Sequence, residues 1–201
     1  MTSNKTVFFI IGNLLIILGL FMLLPYWVQI LYREDSHSFL SSSFITILIG
    51  ALFVLANLQE EYQLNLKQTF LFSTFAWIAI AGFGSLPFIL SDINFSVSDS
   101  FFESMSGITT TGSTVVTNLD SSPKSILMWR AIMQWLGGVG IIVMAITVLP
   151  LLKVGGMQLF KIESSDKPEK ILPRTTQVAF IIITTYLVLT FCCAFFYKIL
   201  G

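Results

Sequence analysis

Charged residues are scarce in this chain of 201 residues: only 11% are Asp, Glu, Lys or Arg, and their formal charges sum to zero. A soluble domain of this length usually carries about 25% charged residues. The balanced charge also leaves no basic excess of the kind that binds nucleic acid. The composition therefore argues against a soluble domain and against a nucleic-acid partner.

Cysteine and histidine are almost absent. Cys192 and Cys193 are adjacent, point apart in a helix, and have no second pair with which to build a disulfide framework. His37 is the only histidine, and no metal-ligand cluster surrounds it in the sequence. The chain also lacks H-E-x-x-H, G-x-S-x-G and the phosphate-binding G-x-x-x-x-G-K-[ST] loop. We therefore predict that the chain is not an enzyme and holds no covalent cofactor.

Long apolar runs take up most of the remaining sequence. Each run is long enough to cross a hydrocarbon core of about 30 Å, which takes about 20 helical residues. In lipid each run must be helical, because unpaired backbone groups cannot be left there. The first run is too long for a signal peptide and is interpreted as a retained span. The predicted spans are 6–31, 39–58, 68–90, 124–151 and 175–199.

The basic residues between the spans predict the orientation. One side of the membrane collects seven of them and the other side collects three. By the positive-inside rule, the richer side is cytoplasmic. The N-terminus and a basic loop at 153–174 would then be cytoplasmic. The richer side holds Lys5, Lys67, Lys153, Lys161, Lys167, Lys170 and Arg174, and the other side holds Arg33, Lys124 and Lys198.

The segment 91–123 is too apolar for a plain loop and too short to span a membrane. Ser100 and Glu103 have the spacing of a capping box, which predicts a short helix over about 99–107. A loop rich in threonine and glycine follows over about 108–115. We interpret the pair as a re-entrant hairpin, because non-helical backbone at membrane depth must be buried in protein or line a water-filled cavity.

The sequence SGITTTGSTV lies in this loop. A cation that enters a membrane must exchange its hydration water for other oxygens, and rings of backbone carbonyls do this in potassium channels. Gly112 supplies the unusual dihedral angles that such a loop needs. Thr109, Thr110 and Thr111 would present carbonyls before it, and Ser113 after it. The predicted potassium site is at Thr110, Thr111 and Gly112, although a Thr-rich sequence also fits an ordinary turn.

A second constellation, RAIMQWLGGVG, lies within the fourth span. Arg130 and Gln134 share one helix face, and Gly137 and Gly138 allow another backbone to approach closely. We expect the hairpin to pack there. Arg130 needs a partner within the membrane or must extend to the outer interface, and Glu103 is the acidic partner that the sequence offers. Both alternatives remain open.

Two motifs in this order resemble the Trk/Ktr/HKT superfamily of potassium transporters. FFESMSGITTTGSTV is similar to the first pore loop of that family, and RAIMQWLGGVGIIV is similar to the helix after it. The two leading spans resemble the extra N-terminal pair of the Trk-type membrane subunits. The resemblance covers nearly the whole chain.

The resemblance implies four membrane–pore–membrane repeats in one polypeptide around a single pore. Gly112 matches the filter glycine of the first repeat, which goes with potassium preference. It also implies a homodimer in the bacterial inner membrane, embedded in lipid as a multi-pass protein. A nucleotide-binding, TrkA-like regulatory subunit would bind on the cytoplasmic side, and potassium would be the transported ion.

The expected fold is an all-α membrane protein in four parts. Residues 1–66 form a leading helix pair, and 67–152 form the first membrane–pore–membrane repeat. Residues 153–174 form the basic loop, and 175–201 the first helix of a second repeat. One filter strand cannot enclose an ion, so we expect a piece of a longer potassium-uptake protein, unless several copies assemble. The alternative function is a non-transporting membrane scaffold or assembly subunit.

Overall fold

The computed structural model of the chain describes residues 4–34, 37–59, 64–93, 95–117, 119–148 and 171–200. All regular structure within these ranges is helical. The contacts divide the chain into two compact units, Met1–Gly138 and Val139–Gly201.

Eight α-helices and one short 3-10 turn make up the described structure. The first two helices are separated only by Met22, and the fourth and fifth only by Ser85. The 3-10 turn is Leu119–Ser121. The helices are α1 (Lys5–Phe21), α2 (Leu23–Tyr32), α3 (Ser38–Ala56), α4 (Leu66–Gly84), α5 (Leu86–Ile89), α6 (Val97–Ile108), α7 (Lys124–Val148) and α8 (Ile171–Leu200).

Five helical stretches are long and apolar enough to cross a membrane. Each overlaps one predicted span, so the all-α class and the five spans are confirmed. The helix of the fifth span, α8, begins at Ile171, four residues before the predicted start of that span. It therefore includes the last part of the predicted basic loop 153–174. The rest of that loop lies outside the described residues. The five stretches are Lys5–Tyr32, Ser38–Ala56, Lys67–Ile89, Lys124–Ile142 and Gln177–Leu200.

Glycines bring α1 and α3 into close contact. A Cβ on Gly12 would lie 2.8 Å from the carbonyl oxygen of Gly50, and a Cβ on Gly50 would lie 2.8 Å from that of Gly12. Small residues of this kind let two helix backbones approach in lipid, where packing rather than water drives association. Two turns along α1, a Cβ on Gly19 would lie 2.6 Å from the side chain of Ile47.

The hydroxyl groups buried on α3 find acceptors nearby. Ser42 donates to the carbonyl of Ser38 at 2.7 Å, and Thr46 donates to that of Ser42 at 2.7 Å. Ser43 instead donates across the interface to the carbonyl of Gly19 at 2.7 Å. These bonds matter because a polar group without a partner is costly in an apolar environment. The last bond also fixes the register of α3 against α1.

Trp129 connects α7 to α4 and α3. Its side chain is fully buried, and its indole N–H donates to the carbonyl of Gly84 at the end of α4, at 2.9 Å. The ring of Phe39 packs edge-on against it, with 6.1 Å between centroids. Met133, one turn further along α7, lies where a Cβ on Gly84 or Gly107 would collide with it. The indole thus satisfies a helix-end carbonyl while filling the core.

The short helix before the threonine loop begins earlier than the sequence indicated. It runs from Val97, and Ser96 and Asp99 form the capping box, with Ser96 Oγ accepting from the Asp99 N–H at 3.1 Å. The predicted pair Ser100 and Glu103 is therefore wrong as a cap. Ser100 donates to the carbonyl of Ser96 at 2.9 Å, and Glu103 is buried.

The second unit contains the end of α7 and all of α8. The described part of α8 leaves large apolar side chains exposed along its length, among them Phe180, Phe191 and Tyr197. Cys192 and Cys193 are free thiols and exposed. Such a surface suits contact with lipid chains.

We expect Gly50→Ala to lower the stability of the chain by about 1–3 kcal/mol, because the added methyl group meets the backbone of α1. The thermal unfolding midpoint in detergent micelles measures this change. Gly82→Ala is the matched control, since a Cβ there has no atom within 4 Å. The control should gain about 0.5–1 kcal/mol of helix propensity. Equal midpoints for the two variants would contradict the close contact of α1 and α3.

Candidate functional site

The threonine loop leaves α6 through a tight turn. Thr109 caps the helix, with its N–H on the carbonyl of Met105 at 3.0 Å. Thr110 then donates its N–H to the carbonyl of Gly107 at 2.9 Å. The residues from Thr111 to Val116 form neither helix nor strand. The helix thus ends at Ile108, one residue beyond the predicted range of about 99–107, and the irregular backbone follows.

Two residues of the loop have left-handed backbone conformations, Thr110 at φ 57° and Gly112 at φ 78°. Glycine adopts this region readily, whereas a β-branched residue there is a true outlier held by its surroundings. The N–H groups of Thr111 and Gly112 both point at the carbonyl of Ser106, at 3.0 and 3.4 Å. Alternating right- and left-handed residues turn successive amides to one side in this way.

The carbonyls of the same residues are left for other partners. Within the described residues, none of the carbonyl oxygens of Thr109, Thr110, Thr111 and Gly112 accepts a hydrogen bond. Ser113 differs, because its carbonyl already accepts from the hydroxyl of Ser106 at 2.6 Å. The N–H groups of Thr111 and Gly112 both point at Ser106. The carbonyls on the opposite side of the same two peptide groups, those of Thr110 and Thr111, therefore face away from it.

The threonine hydroxyls at the start of the loop bond locally. Thr109 Oγ1 donates to the carbonyl of Met105 at 2.8 Å and lies 2.8 Å from Thr111 Oγ1. These bonds hold the side chains against the end of α6. A threonine side chain whose hydroxyl already has such a partner can line the loop, while its backbone carbonyl remains available as an acceptor.

Glu103 holds the far side of the loop. The residue is 2% exposed, and its carboxylate accepts from the hydroxyl of Thr114 at 2.9 Å and from the N–H of Val115 at 3.0 Å. A carboxylate buried in protein requires several donors of this kind. The loop is therefore attached at two points, to Ser106 on one side and to Glu103 on the other.

Arg130 of α7 supplies the positive partner. Its Nε lies 2.5 Å from Glu103 Oε1, and the side chains are 15% and 1% exposed. Of the two alternatives that the sequence left open, the structure favours the ion pair over extension to the interface. The pair neutralises a charge that would be costly if it were buried alone.

The glycine-rich part of α7 lies against the end of α6. A Cβ on Gly137 would overlap the carbonyl oxygen of Ile108, so only glycine fits there. Gln134 Nε2 lies 3.8 Å from the position of a Cβ on Gly112, which brings the predicted partner next to the loop. Gly138 is half-buried on the same helix, without a recorded contact to the loop.

Ser106 and Thr114 are the loop-positioning residues that the sequence interpretation missed. The Ser106 carbonyl accepts from N–H groups of the loop, and its hydroxyl donates to a carbonyl of the loop. The Thr114 hydroxyl donates to Glu103. The clue for Ser106 was its place in the last turn of a helix, where a hydroxyl reaches nearby backbone. No local clue pointed to Thr114, because its partner lies eleven residues away.

A family model described as a cation transport protein, TrkH, matches residues 35–200. The chain belongs to the TrkH family. This membership agrees with the five apolar helices and supports a multi-pass membrane protein. The members of this family are transport proteins, so the prediction that the chain is not an enzyme is confirmed.

Several named relatives cover almost the whole chain. The Trk system potassium uptake protein TrkH of Vibrio parahaemolyticus is 39% identical over 98% of the chain, which corresponds to 41% of that protein. The TrkH protein of Escherichia coli K12 is 39% identical over 92% of the chain and 39% of its own length. The chain therefore spans about two fifths of the length of these TrkH relatives.

A solved structure shows the same fold. The crystal structure of the potassium transporter TrkH from Vibrio parahaemolyticus matches all of this chain and 40% of its own, with a TM-score of 0.86 and 36% identity.

We expect Glu103→Gln to destabilise the chain by about 3–5 kcal/mol, because it leaves Arg130 buried without its carboxylate. Thermal unfolding in detergent micelles measures the loss, and a broad-specificity protease should cut the loop 109–117 faster. The double variant Glu103→Gln, Arg130→Gln is the control, since it removes both charges. The double variant should lose less stability than the sum of the losses measured for Glu103→Gln and Arg130→Gln separately. Additive losses would contradict a coupled pair.

Proposed function

We propose that this chain contributes one strand of a potassium-selective filter to a membrane transporter. The observation that carries the proposal is the backbone of the loop. Thr110 and Gly112 have positive φ, two neighbouring amides converge on Ser106, and the carbonyls from Thr109 to Gly112 accept no hydrogen bond among the described residues. Carbonyls without protein donors are available to an ion.

The chemistry of dehydration explains why carbonyls rather than carboxylates would line the filter. A potassium ion must bind well enough to leave water and weakly enough to move on. Neutral dipoles meet both conditions, whereas a carboxylate would hold the ion. The carboxylate of Glu103, which is bonded to the loop, is turned to Arg130, Thr114 and Val115 instead.

The helix α6 supports the same role. We interpret α6 as a re-entrant pore helix whose C-terminal end faces the middle of the membrane. That end carries a partial negative charge, which favours a cation near the loop. Its N-terminal end is closed by the Ser96–Asp99 capping box, so the orphan amides are satisfied away from the ion.

Gly112 is the residue that the proposal depends on most. A side chain there would be strained by φ 78°. Its nearest neighbour, Gln134, leaves enough space for a methyl group, at 3.8 Å. Substitution with alanine therefore tests the backbone conformation rather than the packing.

The complete protein would supply the remaining filter strands. We propose that it takes up potassium, as the names of its TrkH relatives say of those proteins, and that it does so across the bacterial inner membrane. Its N-terminus would be cytoplasmic, and it would form a homodimer with a TrkA-like nucleotide-binding subunit on the cytoplasmic side. A membrane scaffold that moves no ion is the competing function.

The test uses rubidium uptake by bacteria that lack their own potassium uptake systems. The cells express a chimera in which this chain replaces the matching N-terminal part of the Vibrio parahaemolyticus TrkH protein. We expect the chimera to take up rubidium. Gly112→Ala in the chimera should abolish that uptake or admit sodium, because the strained backbone at residue 112 no longer aligns the carbonyls. Gly82→Ala is the control, with uptake unchanged, and membrane insertion is checked in each strain.

Three outcomes separate the hypotheses. Uptake by the chimera that does not change with Gly112→Ala would refute the filter role. Uptake by this chain on its own, lost in Gly112→Ala, would mean that copies of it build a pore without further repeats. An inserted chimera that takes up nothing, beside an active Vibrio parent, would favour the scaffold.

A further inference from the structure

Ser106 is bonded to the threonine loop in two ways. It lies in the last turn of α6 and is 6% exposed. Its backbone carbonyl accepts from the N–H groups of Thr111 and Gly112, at 3.0 and 3.4 Å. Its hydroxyl donates to the carbonyl of Ser113 at 2.6 Å. The backbone of the loop is therefore closed back onto one buried residue.

The two kinds of bond act differently on the carbonyls of the loop. The bonds from the two amides turn the carbonyls of Thr110 and Thr111 away from Ser106. The bond from the hydroxyl instead draws the carbonyl of Ser113 toward Ser106 and gives it a donor. Among the residues that the structure describes, the row of carbonyls without a donor therefore ends at Gly112.

The position of Ser106 is fixed by its neighbours on α6. A Cβ on Gly107 would lie 3.0 Å from the Cβ of Met133, so this turn of the helix is packed closely against α7. Glu103, one turn before Ser106, is buried and paired with Arg130 of α7. The helix cannot follow a movement of the loop, and the hydroxyl of Ser106 is a fixed point for the carbonyl that it binds.

We infer that Ser106 is a positioning residue for ion selectivity, an inference that rests on the proposed filter. Its hydroxyl keeps the carbonyl of Ser113 out of the ion path and limits this strand to the carbonyls from Thr109 to Gly112. The sequence predicted that Ser113 presents its carbonyl to the ion, whereas the bond to Ser106 makes it the anchor that ends the row.

The physical reason is that selectivity depends on the number of carbonyl dipoles around the ion and on the size of the cavity that they form. A released carbonyl after Gly112 would add one oxygen that no hydrogen bond holds in place. Such an oxygen can move closer to a smaller ion. The strand would then discriminate less between potassium and sodium.

The first test measures cation preference in the chimera of this chain with the Vibrio parahaemolyticus TrkH protein. The sodium and potassium concentrations that halve rubidium uptake give the preference as a ratio. We expect Ser106→Ala to lower the preference for potassium over sodium by up to about tenfold, the factor that one hydrogen bond can supply. Ser106→Thr keeps a hydroxyl at this position and should keep the ratio of the unaltered chimera.

Ser104 offers a matched control on the same helix. It is fully buried, and its hydroxyl has no hydrogen-bond partner in the part of the chain that the structure describes. Ser104→Ala thus removes the same group two residues away without releasing a carbonyl of the loop. Its uptake and its ratio should equal those of the unaltered chimera.

A second measurement follows the bond itself in the purified chain in detergent micelles, where no transport is needed. Labelling with carbonyl-¹³C serine and ¹⁵N threonine selects Ser–Thr peptide groups, which this sequence contains only at Ser73–Thr74 and Ser113–Thr114. We expect the carbonyl signal of Ser113 to move upfield in Ser106→Ala, because a carbonyl that has lost its donor is less polarised. The carbonyl of Ser73, in α4, is the internal reference and should not move.

Several results would overturn the inference. An unmoved Ser113 signal in Ser106→Ala would mean that the hydroxyl does not hold this carbonyl. An unchanged ratio in Ser106→Ala, with or without lower uptake, would reduce Ser106 to a structural role. A ratio lowered equally by Ser104→Ala would assign the effect to helix packing.

The failure of this inference is distinguishable from failure of the filter. An unchanged ratio in Ser106→Ala, beside lost or altered uptake in Gly112→Ala, would leave the filter in place and remove the role of Ser106. Unchanged uptake and ratio in Gly112→Ala would refute the filter itself, and the inference with it.

Discussion

The carboxylate of Glu103 is the group on which the arrangement around the loop depends. It is buried between helices that cross a membrane, where a lone charge is very costly. Arg130 neutralises it from α7, and the loop supplies donors from Thr114 and Val115. One carboxylate thereby joins the short helix, the loop after it and the next long helix. None of the three can shift without leaving a polar group unpaired.

Close approach of backbones is the second constraint. The carbonyl of Ile108 lies against α7 only because Gly137 has no side chain, and α1 lies against α3 because Gly12 and Gly50 have none. In lipid the helices gain little from excluding water, so contact distance and internal hydrogen bonds determine how they assemble. The indole of Trp129, bonded to Gly84, adds the same kind of bond at the end of a helix.

The local patterns predicted some features well and others poorly. Hydrophobic length predicted the five long helices, and Gly112 was correctly expected to need an unusual dihedral angle. The capping box was misplaced by four residues, because both Ser96 and Ser100 precede an acidic residue by three positions. The two serines look alike in sequence. Only the burial of Glu103 and its three partners excludes it from capping.

The sequence by itself determined which segments are helices and where the irregular backbone lies, since apolar length and turn chemistry act over a few neighbouring residues. The tertiary structure alone decided that Glu103 pairs with Arg130. The partners of Glu103 lie 11 to 27 residues away in the chain, and helix packing brings them together.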